Sequence, residues 1–330
     1  MTTNQYTESG KRIILFDASI YKVSTCMLRM YNTYHRNLTR EIQVDNYTPS
    51  STTEEASNNT DSHAASYGSA FHIFAKNYRE KHSVSESVMR AVEFYQHPSI
   101  VLPPGAWRTA NHLTTTCLDY ADHTVNDTLE VLKDSEGKYL TEQRFAWPYL
   151  ETEKHVFMLA GTIDLLCKRN EIVCFCDYKT TAKYDKDTFI EEYYLSPQLM
   201  FYTYVLNILA RHFPDKFGQC GGNIPCFVEA IFLHRTKPSV VVRSDLISFS
   251  ERQLETFGIA LTSRLQQISK ALETEDSPHY LADYTQCYAG YPCPFTLLCS
   301  SSDEYTYNKY LSMNYTTRKP YNPMTHGEHK

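Results

Sequence analysis

GTIDLLCKRNEIVCFCDYKTT, residues 161–181, decides the reading of this chain. Two runs rich in apolar and β-branched residues flank the polar pair Asn170–Glu171, the pattern of two strands joined by a tight turn. With the turn centred between those residues, positions whose numbers sum to 341 face each other across the hairpin, and Asp164 and Asp177 make that sum. Side chains alternate along a strand, so Asp177 and Lys179 share a face with Asp164. Two carboxylates and an ammonium group are thereby aimed at one point.

Phosphodiester hydrolysis uses such a set. Two aspartates at close range repel unless a divalent cation lies between them, and oxygen ligands favour Mg2+ or Mn2+ over softer metals. The ion can polarise a phosphoryl oxygen and acidify a bound water, while Lys179 positions that water or offsets charge on phosphorus. The bland alternative is a surface salt bridge of the aspartates with Lys179 or Lys168, as for most isolated D-x-K tripeptides. The run IVCFC before Asp177 and GTIDLL around Asp164 speak against it, because these charges end strands that read as buried on both faces.

Outward from the hairpin, Ser196 and Pro197 read as N-cap and first residue of the amphipathic helix QLMFYTYVLNILARHF. CFVEAIFLHR and SVVVRSDLI read as two further strands across a Lys-Pro turn, and Ser250 with Gln253 as a capping box for a helix to about Leu272. Upstream, YGSAFHIFAKNYREK, VSESVMRAVEFYQ and a longer segment from Arg108 to Leu132 carry helical periodicity. Ile13 to Leu38 reads as a short strand or turn and then a helix carrying Cys26, and residues 45–66 as a mobile polar loop. The expected organisation is α/β: a single domain over 1–330, with a helical part over 1–135, a mixed central sheet flanked by helices over 136–275, and a Cys loop and tail over 276–330.

The net charge of -6 and pI near 6.1 argue against a protein that coats nucleic acid by bulk charge, though not against a local basic groove. No segment is long and apolar enough to span a bilayer, and MTTNQYTESGKR lacks the apolar run of a secretory signal. A cytoplasmic setting is therefore expected, where the 10 cysteines serve as core residues or metal ligands and not as disulfides. Cys167, Cys174 and Cys176 alternate within the hairpin as small core residues, whereas Cys287, Cys293 and Cys299 lie in a Gly- and Pro-containing loop suited to wrapping a metal.

GTIDLL, then CDYKTT, then SPQLMFY resembles the core of the RecB-like and AddB-like PD-(D/E)XK nucleases, a restriction-endonuclease-like fold. The resemblance implies Asp164 and Asp177 as metal-binding acids and Lys179 as the catalytic lysine. It implies Gln198 and Tyr202 as the helix motif, four apart on one face, contacting the substrate or bracing the site. Gly68 and His72 match a Gly-x-x-x-His helix whose imidazole completes the metal shell. Glu142 is a candidate for a second metal, set against a solvated strand-start residue. For Cys26, Cys287, Cys293 and Cys299 the resemblance implies a 4Fe-4S cluster, with zinc and unliganded core cysteines as alternatives. The spacing departs from the family pattern: five residues, not two, separate Cys287 from Cys293, and Met27 stands where a proline is usual.

The function implied is a metal-dependent DNA nuclease, an exonuclease in recombination, repair or phage DNA processing, in a bacterial cell or phage-infected host. Competing readings are a non-catalytic scaffold or DNA-binding module and a site-specific endonuclease. No phosphate-binding Gly-x-x-x-x-Gly-Lys motif occurs, so the chain carries no helicase motor of its own and would act alone or lend its nuclease to a separate recombination or helicase protein.

Overall fold

The computed structural model of the chain describes residues 6–40, 57–273, 283–287, 293–317, 322 and 324, the side chains of 39–40, 57–62 and 286 left aside. In chain order come β1 (Arg12–Phe16), α1 (Ala18–Val23), α2 (Met27–Met30), a π turn (Tyr31–His35), β2 (Leu38–Arg40), α3 (Ser57–Arg79), α4 (Val84–Tyr95), α5 (Ala110–Thr124), β3 (Glu130–Val131) and β4 (Thr141–Glu151). The hairpin β5 (His155–Arg169) and β6 (Ile172–Thr181) follows, then α6 (Lys186–Glu191), α7 (Pro197–His212), α8 (Pro214–Phe217), β7 (Cys226–Phe232), β8 (Val240–Arg243) and α9 (Glu251–Glu273). The last elements among the described residues are α10 (Thr296–Cys299), α11 (Glu304–Asn314) and β9 (Tyr315–Thr317).

The central sheet has the order β1-β5-β6-β7-β8, with β3 and β4 also pairing with β5. It is mixed: β5 and β6 run antiparallel, β6 and β7 parallel, β7 and β8 antiparallel. A mixed sheet flanked by helices is the α/β architecture expected. The β5–β6 register pairs Leu165 with Cys176 and Arg169 with Ile172, each pair summing to 341. Asn170 and Glu171 close the turn with φ of 50° and 65°. Two left-handed central residues give the turn twist that matches strand twist. Strand β7 is buried along its whole length, as a strand covered on both faces must be.

By packing, the chain divides into two compact units. One comprises Met1–Asn58, Phe145–Gly161 and Phe257–His326. Within it β1 pairs in parallel with the start of β5, Tyr21 packs on Phe257, and the His155 ring bonds Ser269 of α9. Leu38, Cys293, Phe295, Leu298 and Tyr315 form a small apolar cluster there. The other unit comprises Asn59–Arg144, Thr162–Thr256 and Gly327–Lys330. Its core packs Phe71 and Phe74 of α3 and Tyr120 of α5 against Tyr178 of β6, largely in edge-to-face contacts. Gly68 brings α3 close to the sheet, where a Cβ would lie 3.4 Å from Thr180 Oγ1.

Several elements differ from the sequence reading. The helix expected from Arg108 to Leu132 ends at Thr124, because Asp127 turns inward to pair with Arg79 and Arg243 and the chain must leave the helix to deliver it. The helix expected to carry Cys26 is broken: Cys26 is the N-cap of the one-turn α2. Residues 57–66, expected as loop, lie in α3, while 45–56 fall outside the described residues, as do 274–282 and 288–292 of the Cys loop. The capping box is present, with Ser250 N–H donating to Gln253 Oε1 at 2.9 Å and Gln253 N–H donating to Ser250 Oγ at 3.3 Å. Ser196 is the N-cap of α7 with Pro197 next, but its hydroxyl makes no capping bond.

Candidate active site

The hairpin ladder stops at Leu165–Cys176, one residue short of the two aspartates. Beyond it the Tyr178 N–H, which a backbone carbonyl of β5 would otherwise accept, donates to Asp164 Oδ2 at 2.7 Å. The Asp164 side chain thus replaces a ladder bond where the strands part, and its other oxygen faces His72. Strand alternation sends Tyr178 into the core and Asp177 and Lys179 to the opposite face. Lys179 Nζ lies 2.5 Å from Asp177 Oδ2. That oxygen is buried and, despite the ion contact, has no hydrogen bond of good geometry.

Helix α3 adds His72. Its Nδ1 lies 3.5 Å from Asp164 Oδ1 and 3.3 Å from Glu142 Oε1. His72, Glu142 and Asp164 each offer one ligand atom, all within 4.8 Å of one another. Glu142 reaches the group because its backbone adopts φ 46°, a left-handed conformation that glutamate rarely takes, near the start of β4. Such strain persists only where the surroundings over-determine it, and it gathers at functional sites. From α7, Gln198 Nε2 donates to Asp177 Oδ1 at 3.0 Å. Tyr202, one turn on, packs its ring at 6.3 Å against Phe175 of β6.

The electrostatics follow from burial of like charges around two cations. Burial opposes charge on His72, but the Asp164 and Glu142 carboxylates outweigh it and raise the imidazole pKa well above its usual value. Burial also pushes the Asp164 carboxyl up, yet His72, Lys179 and the Tyr178 amide bring it below the ordinary aspartate value. Asp177 ends above that value, driven by burial and by Asp164 beyond what Lys179 recovers. Glu142 is likewise raised, by burial and by Asp164. A cluster of three acids, all at least half-buried and two of them resisting ionisation, is suited to a divalent cation.

Gln198 and Tyr202 of α7 meet the face of β6 that carries Phe175, Asp177 and Lys179, while His72 reaches Asp164 from α3, the helix packed on the Tyr178 face, with Glu142 beside it. Glu142, weighed in the sequence against a merely solvated residue, is half-buried against His72. The signal that marks it is the left-handed backbone, which no sequence pattern discloses. The implied second set lies elsewhere. Cys26 and Cys293 are buried and Cys287 and Cys299 half-buried, and the Cys293 N–H donates to the Cys287 carbonyl at 2.8 Å. Burial pushes the Cys299 thiol up to about 12, with Cys293, Cys287 and Cys26 adding to the shift as near neighbours. Cys167, Cys174 and Cys176 are fully buried in the hairpin core.

The family model of the PD-(D/E)XK nuclease superfamily matches residues 18–300. No curated protein matches the chain. Among solved structures, one described as "Crystal structure of SSO0001" is 12% identical with a TM-score of 0.27, over 73% of this chain and 84% of that chain, too low a score to bear on the fold. The match spans both the hairpin acids with their lysine and the helix that delivers His72, and the chain belongs to the PD-(D/E)XK nuclease superfamily.

Proposed function

We propose that this nuclease is a Mg2+- or Mn2+-dependent deoxyribonuclease that hydrolyses DNA from strand ends, serving recombination, repair or phage DNA processing. The observation that carries the reading is the convergence of His72, Glu142 and Asp164 within 4.8 Å beside the Asp177–Lys179 pair. The donor set fits the metal: carboxylate oxygens dominate, one imidazole is tolerated by Mn2+, and Asp177 offers a buried oxygen without a well-directed hydrogen bond. When bound, the cation would supply Lewis acidity toward the phosphoryl group.

The protein's own groups do the rest. Asp164, tied to the Tyr178 amide through one oxygen, presents the other in a fixed direction. Gln198 fixes Asp177 from the α7 side and leaves Lys179 as its other contact. The Lys179 ammonium is placed to donate to a phosphate oxygen or to orient the attacking water, where charge grows in the transition state.

We extend the proposal to Cys26, Cys287, Cys293 and Cys299 as ligands of a 4Fe-4S cluster, with Zn2+ as the competing occupant. Four thiols near one another, all unpaired with any other cysteine, have the right donor chemistry. Absorbance near 400 nm in protein prepared without oxygen supports iron–sulfur; colourless protein with stoichiometric zinc assigns the site to zinc.

The deciding experiment incubates purified protein with Mg2+ or Mn2+ and DNA labelled at either end. Progressive shortening supports an exonuclease and gives its polarity, while discrete bands identify a site-specific endonuclease. Lys179→Ala should abolish cleavage and leave the fold intact; cleavage at the wild-type rate in that variant overturns the mechanism.

A further inference from the structure

We propose that a basic surface beside the active site, made by Arg108 on the Trp107 ring and by Arg235 and Lys237 in the β7–β8 turn, holds the sugar–phosphate backbone of the DNA a few nucleotides from the scissile bond. This rests on the nuclease reading above and adds where the strand lies.

The first observation is a charge asymmetry. The chain carries a net -6, yet no Asp or Glu occurs from Phe94 to Leu118 or from Ala230 to Ser244. The fold joins these two acid-free stretches. His112 Nε2 lies 3.0 Å from the His234 carbonyl, and Thr116 Oγ1 lies 3.1 Å from Ser239 Oγ. Asp119, the acid that ends the first stretch, is occupied by accepting the Ser239 N–H at 2.7 Å.

The second observation is unspent cationic charge. Arg79, Arg90 and Arg243 of the same unit each engage carboxylates. Among the described residues, Arg108, Arg235 and Lys237 form no ion pair. Arg235 and Lys237 are exposed, and Arg108 is half-buried with its guanidinium 4.7 Å from the Trp107 ring centre. Burial lowers the Arg108 pKa, and only the Tyr67 and Tyr95 phenols oppose the shift. The ring restrains the guanidinium, and among the described residues no carboxylate occupies it, an arrangement suited to a phosphate. Trp107 has Arg108 near its face and His112 edge-on at 4.9 Å, so it serves as a rest for the arginine more than as a platform for a base.

The third observation is position. Tyr67, bonded to His112 Nδ1 at 2.7 Å, precedes His72 by five residues on α3, about 7.5 Å along the axis. On the sheet, Phe232 pairs with Thr181, two residues past Lys179, and Arg235 follows three residues later. The basic surface therefore lies beyond the carboxyl ends of the parallel strands β6 and β7, the side on which open α/β sheets take ligands. By helix and strand rise the offsets are about 7.5 Å from His72 to Tyr67 and up to about 16 Å from Lys179 to Arg235, or about two to five nucleotides at 3.4 Å each.

The test measures binding of a fluorescent 20-nucleotide DNA by the Lys179→Ala protein, alone and with Arg235→Glu/Lys237→Glu added, across a NaCl series. A second variant adds Arg108→Ala, and melting curves and Mn2+ titration verify that fold and metal site are retained. The expected result is a Kd raised at least about tenfold by the double charge reversal, and a slope of log K against log[NaCl] reduced by about 1.4–1.8, two phosphate contacts' worth. Unchanged Kd and slope in both variants, with wild-type protein still cutting DNA, overturn this inference and leave the nuclease reading standing. Wild-type protein that neither binds nor cuts DNA with either metal overturns both.

Discussion

His72 Nδ1 and Glu142 Oε1 lie 3.3 Å apart, joining α3 to the start of β4 at the point where Asp164 also arrives. The proposed metal site makes Glu142 a ligand or the immediate support of one. Glu142→Gln keeps the shape and removes the charge, so Mn2+ affinity measured by calorimetry should fall at least about tenfold, with cleavage falling in step. Wild-type affinity in this variant would return Glu142 to the role of a solvated strand residue.

Asp164 has two duties that substitution can separate. Asp164→Ala removes a ligand and also strands the buried Tyr178 N–H, so it should abolish cleavage and cost about 1–3 kcal/mol of stability. Asp164→Asn keeps an acceptor for that amide and should be equally inactive while melting closer to wild type. Urea titrations of the two variants side by side check the difference.

Gln198 acts through the Asp177 carboxylate to which it donates. Gln198→Ala leaves Asp177 Oδ1 unpaired and free to turn, and should reduce kcat about 10–100-fold. A residue that positions an acid and does not grip the strand should leave the KM for DNA little changed. A steady-state comparison with wild type decides whether the loss falls on kcat or on KM.

Beneath the site, Glu229 is fully buried with Arg79, Arg243 and the Tyr120 hydroxyl around it, and Asp127 pairs with both arginines. Removing one partner leaves buried charge uncompensated, so Asp127→Asn should cost about 3–5 kcal/mol. The same group predicts the acid limb of stability. Burial pushes the Asp127 carboxyl up, but Arg243 and Arg79 bring it below its ordinary 3.8. A depressed folded pKa gives stability that is full above 3.8 and is lost as pH falls below that value through the folded pKa. Urea midpoints measured from pH 7 downward should drop across that window in wild type and less steeply in Asp127→Asn.

Glu171 holds φ 65° in the β5–β6 turn, where glycine avoids the Cβ clash. Glu171→Gly should therefore stabilise the hairpin by up to about 1 kcal/mol, read as a higher melting temperature with unchanged cleavage. A lower melting temperature would mean that the carboxylate or the lost chain entropy outweighs the relieved strain.

The parts legible in the sequence were those governed by short-range periodicity. The hairpin register could be counted from Asn170–Glu171 because period-two alternation and a two-residue turn leave one pairing that buries the apolar set. Helices that begin after Ser196 with Pro197 and after Ser250 with its capping box announce themselves in the same local way. What escaped depends on distant partners. The end of α5 at Thr124 is set by Asp127 meeting Arg79 and Arg243, the latter 116 residues away. Glu142 joins the site through a backbone conformation imposed by tertiary packing, and the break at Cys26 has no helix-stopping residue to signal it. The basic surface of Arg108, Arg235 and Lys237 arises from two stretches that only the fold brings together.

Tyr178 sits between Asp177 and Lys179 with its ring locked among Phe71 and Tyr120. A one-step slip of β6 would pull that ring out of the core it shares with α3 and α5 and turn Asp177 and Lys179 into that core. The tyrosine thus works as a keel: any insertion or deletion that shifted the frame would capsize the strand before it altered the chemistry. New specificities in relatives built on this plan should consequently come from the turns and helices around β6, with the strand itself left unaltered.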